Sequence, residues 1–109
     1  MHKRVSNRDA ATYIETRQEF ETHTGSLWGA YAGGNRPLYT GGLGTGYLPA
    51  EWRERLREAH DRAGDGLYVV YSYNTPIAWH DGEQWTRPDV KYSATTSRHQ
   101  GLTPRDGTV

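Results

Sequence analysis

The alternation of apolar and polar positions divides the chain into two helical stretches and one dense β-type stretch. Ser6 with Asp9 three residues on resembles a capping box, and the spacing predicts a helix from Asp9 to Phe20. Its apolar stripe of Ala10, Tyr13, Ile14 and Phe20 is thin, which suits a helix lying on a sheet. A stronger helix is predicted over 49–63. Pro49 suits the first helical position, Glu51 the positive end, and Gly64 or Gly66 the stop. Leu48, Trp52, Leu56, Ala59 and Ala63 then share one face, with Glu51–Arg55 and Glu58–Arg62 as i,i+4 pairs on the other.

The chain is organised around residues 67–99. Leu67, Val69, Tyr71 and Tyr73 alternate with Tyr68, Val70, Ser72 and Asn74, so both faces carry large groups and an inner strand is predicted. Pro76 breaks it, because it has no amide to donate. Residues 77–80 and 83–86 flank Asp81-Gly82, the strongest type I′ hairpin signal in the chain. A two-residue turn there would set His80 opposite Glu83 and Ala78 opposite Trp85. Residues 90–97 read either as a strand with a polar ladder or as a short terminal helix capped by Ser93. Residues 1–5 are expected to form a basic arm and residues 101–109 a loose tail.

Eight of the thirteen glycines lie between Gly25 and Gly46. Around them, residues 26–32 read as an interrupted strand and residues 36–40 as a second short one. The run from Gly41 to Gly46 is a poor phosphate loop: it lacks a Gly-Lys-Ser/Thr ending, and Tyr47 stands where the dinucleotide spacing needs glycine. Turns and close backbone approach explain the glycines better. The expected fold is α+β in a single domain: a small, mostly antiparallel sheet of three to five strands. One or two helices pack on one face of it, the 49–63 helix through Trp52 and Leu56 and the first helix beside it or over an edge.

Composition narrows the function classes. Only 34% of the 109 residues are apolar and the mean hydropathy is −0.93, so aromatics must supply much of the core: eight Tyr and four Trp against one Phe and one Met. Thirteen basic and thirteen acidic side chains cancel, which argues against nucleic-acid binding by bulk charge. The absence of cysteine removes disulfides and thiolate metal sites. No apolar run approaches a membrane span and none follows the N-terminal Met-His-Lys-Arg, so a cytosolic protein with no membrane partner is expected.

The candidate chemistry gathers late in the chain. None of the five histidines has a zinc-type spacing, and neither metal nor cofactor is expected. His80 or His99 with a hydroxyl of Ser93, Thr95, Thr96 or Ser97 would suit acid–base or nucleophilic work. A rim His80 bonded to Glu83, and hydroxyls that serve capping and β-propensity, are the plainer readings. Residues 93–99 nonetheless hold four hydroxyls, a guanidinium and an imidazole, more than a structural strand needs. Tyr92, Ser93, Thr95, Thr96, Ser97, Arg98, His99 and His80 are therefore the candidate binding residues, pre-oriented if Tyr71 and Tyr92 pack beneath them. Tyr, Trp, Ser, Gly and Asn with scattered Arg is a protein-recognition palette. The leading expectation is a non-catalytic protein that binds another protein. Nucleic acid bound by Tyr/Trp stacking and Arg/Lys contacts is the alternative, and a hydrolase or phosphoesterase using His80 or His99 the outsider.

The series Val70-Tyr-Ser-Tyr-Asn-Thr-Pro-Ile-Ala-Trp79, Trp85 and Tyr92-Ser-Ala-Thr-Thr-Ser-Arg-His-Gln100 resembles an uncharacterised family of small proteins encoded by actinobacterial phages, plasmids and prophages. Members typically carry glycine where this chain has Asn74, and a left-handed turn position accepts either. The resemblance implies a mobile-element accessory protein in a bacterial cytoplasm, acting on a host or phage macromolecule.

Overall fold

A computed structural model describes residues 3–32, 48–73, 75–90 and 94–109. The described chain runs β1 (Lys3–Val5), α1 (Asn7–Glu15), β2 (Phe20–Thr22), β3 (Leu27–Tyr31), α2 (Ala50–Ala63), β4 (Tyr68–Ser72), β5 (Thr75–His80), β6 (Trp85–Thr86) and α3 (Ala94–Gln100). The strands form one sheet in sequence order; β1 and β2 are parallel across α1, and every other pair is antiparallel. The fold is α+β as expected, but with six strands and three helices among the described residues rather than three to five and one or two. The predicted strand at 36–40, the Gly41–Gly46 run and the residues Asn74, Tyr92 and Ser93 lie outside them.

Helices cover both faces of the sheet, not one. Alternation along β3 and β4 sorts the core into two layers. Leu27, Tyr68 and Val70 join Ala10 and Ile14 of α1, with Val5, Phe20, Ile77, Ala78 and Trp85. Trp28, Ala30, Val69 and Tyr71 join Leu56 and Ala59 of α2, with Leu48, Leu67 and Trp79. A strand that is apolar on both sides needs two covers, so α1 cannot lie beside α2.

The predicted caps hold with shifted bounds. Ser6 is the N-cap of α1 and its Oγ accepts from Asp9 N–H at 3.3 Å. The helix ends at Glu15, five residues before the predicted end at Phe20. Arg17 takes a left-handed φ of 53°. Arg17 N–H then donates to Ile14 O and Gln18 N–H to Tyr13 O, the Schellman pair. That turn releases Phe20 into β2. Pro49 is the N-cap of α2 rather than its first residue. The predicted pairs on α2 give way to an Arg57–Glu54 bridge at 2.9 Å, Arg55 over the Trp52 ring at 4.6 Å, and Arg62 bound to Asp81 at 3.0 Å.

Pro76 lies inside β5 rather than ending a strand. The register slips there, from Val70↔Ala78 to Tyr71↔Pro76, and Ile77 is the extra residue. A bulge accommodates a residue with no ladder donor and turns Ile77 and Ala78 into the same layer. The Asp81-Gly82 turn is also not the two-residue form. Trp79 pairs with Thr86 and His80 with Trp85, leaving Asp81–Gln84 as the connection. Gly82 has a φ of 93°, whereas Asp81 is not left-handed, and type I′ requires both. The Asp81 carboxylate decides the matter, since Oδ1 accepts from both Glu83 N–H and Gln84 N–H at 3.0 Å. Glu83 thus sits in the loop, opposite nothing.

Gly29 in β3 marks a close approach. A Cβ there would come within 2.7 Å of Phe20 Cε1 and 2.9 Å of Tyr68 Cζ. The two chain ends differ from expectation as well: Lys3–Val5 form β1, and Trp85 N–H donates to Thr108 O at 2.6 Å while Gly107 N–H donates to Trp85 O at 2.8 Å.

Candidate functional site

The open choice at 90–97 resolves as α3, because Thr96, His99 and Gln100 lie on one helical face and are buried together. Gln100 Nε2 donates to Ile77 O at 3.1 Å and Pro88 O at 2.9 Å, which satisfies the carbonyl exposed by the bulge. Ser72, at the end of β4, lies beneath the helix. Its Oγ donates to Thr96 Oγ1 at 3.1 Å and lies 2.8 Å from His99 Nδ1. With the serine proton committed to Thr96, His99 must donate from Nδ1, and Nε2 keeps its lone pair. Burial and then Arg98 hold the His99 pKa below the usual value, so the ring is neutral.

Beside this triad opens a cavity of about 590 Å³. Its walls come from Asn7 and Arg8 of α1, Thr24 and Ser26 of the β2–β3 turn, Tyr73 after β4, and Thr95, Arg98, His99 and Leu102. No aspartate or glutamate is among its described lining residues. Tyr73, with φ 58°, is held by Tyr73 N–H donating to Ser26 O and by Trp28 Nε1–H donating to its carbonyl, while its ring stays 56% exposed.

The predicted site residues are only partly brought together. Thr95, Arg98 and His99 line the cavity, Thr96 is buried under it, and Ser97 is exposed on α3. His80 is elsewhere. It pairs with Tyr68, four residues from Ser72 along β4 and so about 13 Å away. Nor is it a rim residue bonded to Glu83. It is buried edge-on against Trp85; Gly82 N–H donates to its Nδ1 at 3.0 Å, and Arg17 Nη1 lies 3.5 Å from Nε2. Burial first, then Arg17, lowers its pKa against the weaker pull of Asp81. Tyr71 does not lie beneath α3. Its ring is in the other core layer, stacked on Trp28 at 3.9 Å.

Sequence reasoning missed Arg8, Thr24, Ser26 and Ser72. Arg8 carried no signal beyond an exposed position in a helical first turn, and Ser72 looked like one polar step in an alternating strand. Among the described residues no three His, Asp or Glu side chains converge on a metal-sized site. No described helix is long and apolar enough to cross a membrane.

Fold and cavity define a small α+β protein with a cationic hollow at one end of a two-sided sheet. The chain belongs to a family of unknown function (DUF8033), whose model matches residues 44–103. No curated protein and no solved structure matches it. The matched part holds α2, β4 to β6 and α3, whereas Arg8, Thr24 and Ser26 come from outside it.

Proposed function

We propose that this protein is a non-catalytic binding module for single-stranded nucleic acid, serving as an accessory of a phage or related mobile element in a bacterial cytoplasm. The observation that carries it is the cavity itself: Arg8 and Arg98 have no ion pair among the described residues, no described carboxylate lines it, and the exposed Tyr73 ring stands at its wall. Guanidinium groups beside an aromatic face suit phosphates and unpaired bases, even where the net charge is zero.

A hydrolytic role gains nothing from the Ser72–His99 contact. Nucleophile–base pairs engage the hydroxyl through a nitrogen that can take its proton, with that oxygen open to substrate. Here the serine proton is directed to Thr96 rather than to the ring, and Ser72 is buried beneath α3 and does not line the cavity. A second reading, a host or phage protein as partner, draws on the adaptable polar groups that α3 exposes in Thr95, Ser97 and Arg98.

A tagged pull-down from host lysate, with and without nuclease, separates the two. Nuclease-sensitive capture, together with anisotropy of a labelled single-stranded oligonucleotide, is expected. Two phosphate contacts give a log–log salt slope of about −1.4. Nuclease-resistant capture of a protein, with no oligonucleotide binding at low salt, would replace this reading with the second.

A further inference from the structure

We infer that the cavity is a subsite for one nucleotide unit, with its phosphate between Arg8 and Arg98, its base against Tyr73, and a donor group of the ligand on Nε2 of His99. The inference rests on the nucleic-acid reading for its context but makes a separate claim, that a single nucleotide is recognised in this hollow.

Three chemistries converge there, and few ligands carry all three. Two guanidinium groups call for an anion, and phosphate matches their fork better than a point charge does. The exposed Tyr73 ring calls for a flat partner. The deepest group is the most selective. His99 is 5% exposed and lines the cavity, yet Nε2 has no hydrogen-bond partner among the described residues. Nδ1 is turned to Ser72, so the Nε2 edge is the one left for a ligand. A buried acceptor without a donor is costly, and a nucleotide supplies one from a base amino group or a sugar hydroxyl. Inorganic phosphate lacks the planar face, and the carboxylates of an acidic peptide carry neither that face nor a donor. The volume of about 590 Å³ falls within the ordinary range of ligand cavities. Thr24, Ser26 and Thr95 add hydroxyls that can serve the sugar or the phosphate.

The nucleotide has two sources, free mononucleotide and a unit within a strand. NMR titration of the whole chain with adenosine 5′-monophosphate, adenosine, inorganic phosphate and a short single-stranded oligoadenylate distinguishes them. The monophosphate is expected to saturate and to shift Tyr73, Thr95 and His99, with adenosine and inorganic phosphate each weaker by about tenfold or more. Arg98→Gln, Arg8→Gln and Tyr73→Asn alter exposed side chains and should weaken it without changing the melting temperature. His99→Asn keeps an amide donor for Ser72 and removes only the Nε2 acceptor, so it should weaken the nucleotide and leave inorganic phosphate unchanged.

No saturable shift with millimolar monophosphate, or inorganic phosphate binding as tightly as the nucleotide, would overturn the subsite. If the oligonucleotide binds but shifts other residues, the nucleic-acid reading survives and the subsite does not. If the monophosphate binds in the cavity and the oligonucleotide does not bind at all, the subsite stands for a free nucleotide and the nucleic-acid reading falls.

Discussion

The Oγ of Ser72 lies 2.8 Å from Nδ1 of His99 and donates its own proton to Thr96 Oγ1, which leaves Nδ1 as the donor of that pair. One strand-end serine thereby sets the character of a helix residue across the core boundary: a neutral imidazole that accepts through Nε2. Ser72→Ala removes the acceptor for a buried N–H, and we expect a loss of about 1–3 kcal/mol of stability in urea unfolding. If the nucleotide subsite is correct, binding falls in the same variant although Ser72 touches no ligand. Unchanged stability would mean that water replaces the hydroxyl at no cost.

Two buried histidines make the fold acid-sensitive. His80 and His99 are both held below the ordinary 6.5, burial being the larger cause in each, with Arg17 next for His80 and Arg98 for His99. In the unfolded chain both take up a proton near 6.5, whereas the folded chain resists until lower pH. The unfolded state then binds more protons, so stability falls as pH drops from 6.5 towards the folded values and is flat above it. Histidine ring shifts followed by NMR check both values. Arg17→Gln should raise the His80 pKa and leave that of His99 unmoved.

Gly29→Ala is expected to destabilise by about 1–3 kcal/mol, because the new methyl meets Tyr68 and Phe20 in a closed core. Tyr68 has little room to yield, since its hydroxyl donates to Gln18 O at 2.6 Å. Burial, then Tyr31 and Glu19, push that phenol's pKa far up, so it remains a donor across the accessible pH range. Thermal unfolding of the variant is the measurement, and a wild-type midpoint would refute the close approach.

Asp81 should matter more than its ion pair. Burial alone would raise its pKa, but the amides of Gln84 and Glu83, and then Arg62, hold it below the usual carboxylate range. Asp81→Ala leaves two loop amides without their acceptor and is expected to cost about 1–2 kcal/mol. Arg62, 62% exposed, is worth only about 0–1 kcal/mol to the same loop. Denaturant midpoints of Asp81→Ala and Arg62→Ala should differ in that order. Equal losses would assign the loop to the salt bridge.

The sequence by itself determined what depends on near neighbours. The α2 stripe through Trp52 and Leu56, the Ser6 cap, the two-faced β4 and the left-handed Gly82 all follow from spacing along a few residues. That Thr95, Arg98 and His99 lie close together was also legible, because they share little more than one turn of chain, and all three line the cavity. Tertiary structure decided the rest. The choice between strand and helix at 90–97 depended on whether Thr96, His99 and Gln100 had a sheet to bury against, and local propensity there is nearly balanced. The Asp81 connection depended on a carboxylate that reaches two amides, which a turn signal counted in residues does not register. The sequence groups His80 and His99 as one candidate pair, yet the antiparallel return of β5 sets His80 opposite Tyr68 while His99 packs on Ser72 at the other end of β4. The cavity joins Arg8 to Arg98 across most of the chain. Such a pairing leaves no periodic trace, because only the order of the strands brings the first helix and the last onto one face.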